Sequence, residues 1–210
     1  MTLTTADGKV CEGVEQGPFE PIAVIGLAAI MPDAENAEQF WQNIIDAKVS
    51  IKQIPEGRWP GPSSHFWKQG GPGDVEEGRT YSKIGALVDG YEFDWRRWRQ
   101  PPGTLPQIDI CQQWAVAISA DAIADAGFDG ENKDIDRVRT GVVFANALGG
   151  ENRNMSNIRV WSNHTKQLAS QHGLPQTNLD SFIEDVVQGS PRIDEDTMPG
   201  ELANVVSGRV

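Results

Sequence analysis

The sequence predicts an α/β domain, and three stretches carry the prediction. Ile22 to Leu27 is an unbroken apolar run with β-branched residues, the mark of a strand buried on both faces of a parallel sheet. Asn36 and Gln39 give a capping-box pattern, after which Ala37, Phe40, Trp41, Ile44 and Ile45 share one stripe of a helix. Thr140-Gly-Val-Val-Phe-Ala-Asn-Ala-Leu-Gly-Gly reads as a second buried strand ending in a glycine turn. With the helix between them, the strand–helix order recurs, which implies right-handed parallel crossovers.

The 210 residues suffice for one sizeable core or two small ones. At 39% hydrophobic and 23% charged residues the composition is that of a soluble globular protein. A net charge of -12 argues against nucleic acid or an anionic membrane as the main partner, because phosphate selects for Lys and Arg. No apolar run reaches bilayer length, and the N-terminus lacks the basic and apolar regions of a signal peptide. The two cysteines, Cys11 and Cys111, lack metal or redox spacing, which places the chain in the reducing cytoplasm.

Residues 1–19 read as a flexible leader without periodicity, and 20–210 as the domain. The first turn, Gly26-Leu-Ala-Ala-Ile-Met-Pro, holds one of the three glycines that a dinucleotide loop needs, and no Gly-Lys-Ser/Thr occurs, so the turn is structural. Ser50 to Pro55 reads as a short strand. Arg58 to Gly78 is rich in Gly and Pro and carries Trp59, His65, Phe66 and Trp67, which predicts a packed surface loop with His65 as a surface or loop-packing histidine. Tyr81 to Phe93 is a second extended element around Gly85.

Phe93-Asp-Trp-Arg-Arg-Trp-Arg admits two readings. Its guanidinium groups suit a phosphate or an acidic partner. The favoured alternative is a short helix whose tryptophans are buried while the arginines lie over them and pair with nearby acids. Asp109 and Gln112 repeat the capping-box pattern and open an alanine-rich helix to Ala126, closed by Gly127. Cys111, near the start of that helix, reads as a packing residue, since no base accompanies it. Two helices follow between 156 and 189, the first carrying His164 and His172. A last helix begins near Pro199, with Leu202, Val205 and Val206 on one face and Gly208 at its end.

Spacing alone yields no active site. There is no Gly-x-Ser-x-Gly, no His–carboxylate metal cluster, and the acidic groups Glu76-Glu77 and Asp194-Glu195-Asp196 sit in polar, solvated surroundings.

Several blocks in order carry a resemblance. Pro21 to Leu27, Phe40-Trp41 and Arg58-Trp59 resemble the opening of the β-ketoacyl synthase domains of polyketide and fatty-acid synthases. Tyr81-Ser-Lys-Ile-Gly-Ala, Phe93-Asp-Trp, Pro101-Pro102 and Asp109-Ile-Cys-Gln-Gln-Trp-Ala are similar to the iterative, polyunsaturated-fatty-acid type, with Ile110 where that variant has proline. Met198-Pro-Gly-Glu-Leu-Ala-Asn-Val-Val-Ser-Gly-Arg-Val is similar to the helix that leads to the family's catalytic cysteine.

The resemblance implies a thiolase-like fold, here the N-terminal half, with a mixed, mostly parallel sheet and flanking helices. It implies decarboxylative Claisen condensation by a cysteine and two histidines, with no metal and no directly bound cofactor. The acyl chain would arrive on a phosphopantetheine-bearing acyl carrier protein, and the complete enzyme would homodimerise and work with further synthase domains. In the family's pattern the nucleophile lies one short strand beyond Val210 and both histidines lie in the second half. The chain is therefore expected to hold no catalytic residue: neither Cys111 nor His65, His164 or His172 matches. Leu148 falls where a side chain borders the acyl pocket. Two functional expectations follow: the N-terminal portion of a condensing enzyme, or a stand-alone non-catalytic protein that pairs with another subunit.

Overall fold

A computed structural model describes residues 21–74, 76–128, 135–146, 150–188 and 190–210. The expected leader and Cys11 lie outside the described residues. The described elements are α1 (Ala37–Ile45), β1 (Lys52–Gln53), β2 (Ile84–Gly85), α2 (Ile110–Asp125), α3 (Glu151–Gln171), α4 (Gln176–Gln188), α5 (Thr197–Glu201) and α6 (Val206–Arg209), with 3-10 turns at Glu56–Arg58, Ser63–His65, Leu105–Gln107 and Ala203–Val205.

Local signals in the sequence become local structure where expected. Asn36 caps α1 by accepting from Gln39 N at 2.8 Å, while Gln39 reaches back to accept from Glu35 N at 2.9 Å. The box thus closes one residue earlier than its usual form. β1 pairs antiparallel with β2, Lys52 opposite Gly85 and Gln53 opposite Ile84. Between them the Gly- and Pro-rich loop is packed as predicted: Trp59 stacks on Phe66 with centroids 6.4 Å apart, and Lys83 sits 3.9 Å over the Trp67 ring.

The Arg–Trp segment keeps the stacking and pairing of the favoured reading but not its helix, and Trp95 and Trp98 are half-buried, not buried. Arg96 and Arg97 lie 4.5 and 4.4 Å over Trp95 and Trp98, and Arg97 pairs with Asp121 at 3.4 Å. Asp94 accepts from Arg96 N and Arg97 N, both at 3.2 Å, as an N-cap does, but the turn stops at Arg99, whose φ of 52 lies outside the helical region.

The two apolar runs depart from expectation. Ile22–Leu27 and residues 140–146 join no β-ladder among the described residues, and the sheet formed there is the antiparallel β1–β2 pair instead of a parallel one. Ile22 is 94% and Val143 96% exposed. A strand needs N–H and C=O partners beside it. Here the first run meets a helix end: Leu27 N donates to Asp125 Oδ2 at 2.7 Å, and Gly26 lies against the Ala122 carbonyl and Ala126, where any Cβ would overlap. Val24, Ile25, Ala122, Ile123, Phe128 and Thr140 line a shallow pocket of about 470 Å³ between the two runs and α2.

The core lies instead where α2 meets α6, α5 and the start of α3. Ala115 and Ala117 are buried on different faces of α2, and α6 packs on α2 with Val206 2% exposed. α3 packs along α4, and at the C-terminal end of α4 the Val187 and Ser190 carbonyls both accept from Arg159 Nη2, at 3.0 and 2.7 Å. The single helix expected around Pro199 is three short pieces, α5, a 3-10 turn and α6. Leu202 breaks it at φ -77, ψ 124, because its carbonyl and that of Pro199 are taken by a side chain of α2.

Candidate functional site

That side chain belongs to Gln112. It and Asp109 are the largest fully buried side chains among the described residues, each 1% exposed. Asp109 is the N-cap of α2 and accepts from Cys111 N at 3.0 Å through Oδ1. Its Oδ2 accepts from Asn152 N at 2.9 Å, in the first turn of α3. The N-cap position of α3 is Gly150, which has no side chain with which to cap. One carboxylate therefore serves two helix N-termini, each rich in unpaired N–H groups and positive in its macrodipole. Gly150, at φ 94, is the residue that permits it: a Cβ there would overlap the Asp109 carboxyl group.

Gln112 sits one turn further along and does not close the capping box. Its Nε2 donates to Pro199 O at 3.0 Å and Leu202 O at 3.2 Å, and its Oε1 accepts from Arg209 Nε. Asp109 N donates to Gly200 O at 2.9 Å. Gln107 extends the junction through Nε2, which donates to Arg192 O at 2.8 Å and Asp194 Oδ2 at 3.2 Å, while Thr197 Oγ1 donates to Gln107 Oε1 at 3.0 Å. Asn152 Nδ2 donates to Pro106 O at 3.0 Å. Burial lowers the Arg209 guanidinium pKa, with Asp196 opposing the shift.

Cys111 lies beside this junction, half-buried, with Sγ accepting from Asn146 Nδ2 at 3.4 Å. A thiol at a helix N-terminus is ordinarily made more acidic. Here burial, and then the Asp109 carboxylate, push it up to about 11. At pH 8 such a thiol holds roughly 200-fold less thiolate than a free cysteine. Iodoacetamide labelling of Cys111, followed by peptide mass spectrometry, is thus expected to be slow at pH 8 and to keep rising with pH to about 10 or beyond. Asp109→Asn should speed it. A rate that levels off near pH 8.5 would contradict the assignment.

Of the other sequence-predicted positions, Leu148 lies outside the described residues. His65, His164 and His172 are exposed and apart: His65 in the 3-10 turn beside Phe66, His164 edge-on to Trp161 at 5.5 Å, and His172 at the end of α3. No group of three or more His, Cys, Asp or Glu side chains suited to a metal ion occurs among the described residues. Glu76 pairs with Lys68 at 2.7 Å, which holds its carboxyl below the usual range. The capping-box spacing pointed to Asp109 and Gln112. The roles of Gln107, Gly150, Asn152, Thr197 and Gly200 carry no local signal, since each depends on a partner 40 or more residues away.

The junction ties together two blocks that carried the resemblance, Asp109 to Ala115 and Met198 to Val210, with the start of α3 between them. A family model described as β-ketoacyl synthase, N-terminal domain, matches residues 19–210. The chain belongs to that family. Its fold class is accordingly the thiolase-like α/β class, in the N-terminal half. Polyketide synthase ThaG of Burkholderia thailandensis is 34% identical over 133 residues, covering 63% of this chain and 2% of the relative. A polyunsaturated fatty acid synthase polypeptide of Thraustochytrium sp. is 25% identical over 190 residues, covering 90% of this chain and 6% of the relative. Among solved structures, the oxazolomycin ketosynthase domain OzmH KS7 of Streptomyces albus aligns at 22% identity and a TM-score of 0.43, over 49% of this chain and 17% of that one. The chain thus spans a few per cent of the length of these curated relatives. Among the described residues, no helix is long and apolar enough to cross a membrane.

Proposed function

We propose that this chain is the N-terminal scaffold of a cytoplasmic condensing enzyme that extends an acyl chain by decarboxylative Claisen condensation. The observation that carries the reading is the family match over 19–210, which includes the buried junction holding the Met198–Val210 segment. In that reading the scaffold sets the sheet and helices behind the active site, and the nucleophilic cysteine and two histidines come from sequence beyond Val210. The acyl substrate is carried on the phosphopantetheine arm of an acyl carrier protein, the enzyme works as a homodimer with further synthase domains, and Leu148 borders the acyl pocket.

The half-buried, weakly acidic Cys111 thiol supports this division of labour, because a thioester-forming cysteine must ionise readily. Incubation of the 210-residue chain with a radiolabelled acyl thioester is therefore expected to leave it unlabelled. Acylation abolished by Cys111→Ser would place a nucleophile within this chain and refute the scaffold reading.

A further inference from the structure

We propose that Asp109 and Gln112 are paired positioning residues for the condensation, the carboxylate setting the start of α3 and the carboxamide setting the segment from Pro199 to Arg209. The proposal rests on the scaffold reading above. A core normally fills its deepest positions with aliphatic side chains, because a buried polar group loses its hydration. These two positions are polar, and each sends hydrogen-bonding groups to a segment far along the chain. Asp109 uses one oxygen on α2 and the other on α3. Gln112 uses both donors and its acceptor on one segment, at 199, 202 and 209.

The two residues are N-cap and third residue of the same helical turn, so the lock has two sides with one rigid spine. The Asp109 side holds the helix that follows the Asn146–Gly150 stretch, where Leu148 borders the proposed acyl pocket. The Gln112 side holds the segment that leads towards the proposed nucleophile. The two sides should therefore fail in different kinetic parameters. Asp109→Asn offers one acceptor oxygen where the carboxylate offers two, which leaves the distal Asn152 amide unserved. Gln112→Met keeps the side-chain length and removes all three hydrogen bonds to the 199–209 segment.

Two readouts test this. In the 210-residue chain, once the uniform increase set by each variant's global stability loss is divided out, hydrogen exchange should quicken at least tenfold around residues 152–155 in Asp109→Asn, and around 200–206 in Gln112→Met, with the other region within about threefold of wild type in each case. In the complete enzyme carrying this segment, Asp109→Asn should raise KM for the acyl thioester at least fivefold with kcat for cysteine acylation little changed. Gln112→Met should lower that kcat at least tenfold with KM within about twofold. Equal losses in both parameters that track each variant's loss of stability, or exchange that quickens only uniformly in both variants, would reduce the pair to ordinary core residues and overturn the proposal. A wild-type complete enzyme that is not acylated at all would instead refute the scaffold reading, and the positioning role with it.

Discussion

Asp109→Ala is expected to destabilise the chain by about 2–4 kcal/mol, read as a lower urea midpoint at unchanged slope. The side chain caps α2 through Cys111 N and α3 through Asn152 N, and it is 1% exposed, so water cannot replace it. Loss of one helix cap ordinarily costs about 1 kcal/mol and up to about 2. Two are lost here at once, with both amides left in a buried place. Removing a buried carboxylate also removes its desolvation cost, which keeps the total from rising further. Asp109→Asn, which retains one acceptor, should show a smaller loss of about 1–2 kcal/mol. If Asp109→Ala shifts the midpoint no more than a surface substitution does, the two-helix cap is wrong.

Gly200→Ala should be comparably damaging, at about 3 kcal/mol, through overpacking. A Cβ at Gly200 would overlap the carbonyl oxygen and carbon of Gln107 and come within 3.3 Å of Ile108 N. The obstructing atoms are backbone, so no rotamer change relieves the clash, and α5 must move away from the turn before α2. That movement also strains the hydrogen bond from Asp109 N to Gly200 O. Gly57→Ala and Gly73→Ala make a matched control: a Cβ at either meets nothing within 4 Å, and the change should stay within about 0.5 kcal/mol. Indistinguishable urea midpoints for Gly200→Ala and the two controls would show that α5 does not pack on the Leu105–Gln107 turn.

How much of this was legible in the sequence depended on the reach of the interaction. Asn36 and Gln39 announced the start of α1, Asp109 that of α2 and Gly127 its end, because each signal acts within a turn of itself. The stacking of Arg96 and Arg97 on neighbouring tryptophans was legible for the same reason. Pairing over distance was not. Composition marked Ile22–Leu27 and 140–146 as strands, but a strand is defined by its neighbours, and among the described residues neither run joins a ladder, the first lying against the end of α2.

The candidate site shows the same division. The Asp109–Gln112 spacing was visible, yet a closed capping box would have kept Gln112 on its own helix. In the structure it reaches 87 residues ahead to Pro199, a choice made by tertiary packing. The same reach breaks the helix expected around Pro199, whose apolar spacing at Leu202, Val205 and Val206 suggested one continuous piece. The order of the family's blocks supplied what local rules could not, since it linked stretches far apart in the chain.

The scaffold reading makes its sharpest commitment about where the acyl group attaches. Purified natural protein carrying this sequence, incubated with a labelled acyl thioester and mapped by peptide mass spectrometry, tests that commitment most directly. The expected result is a polypeptide longer than 210 residues, labelled on one cysteine beyond Val210 that is followed by small residues, with Cys111 unmodified. A natural product that ends at Val210, or label on Cys111, would contradict it.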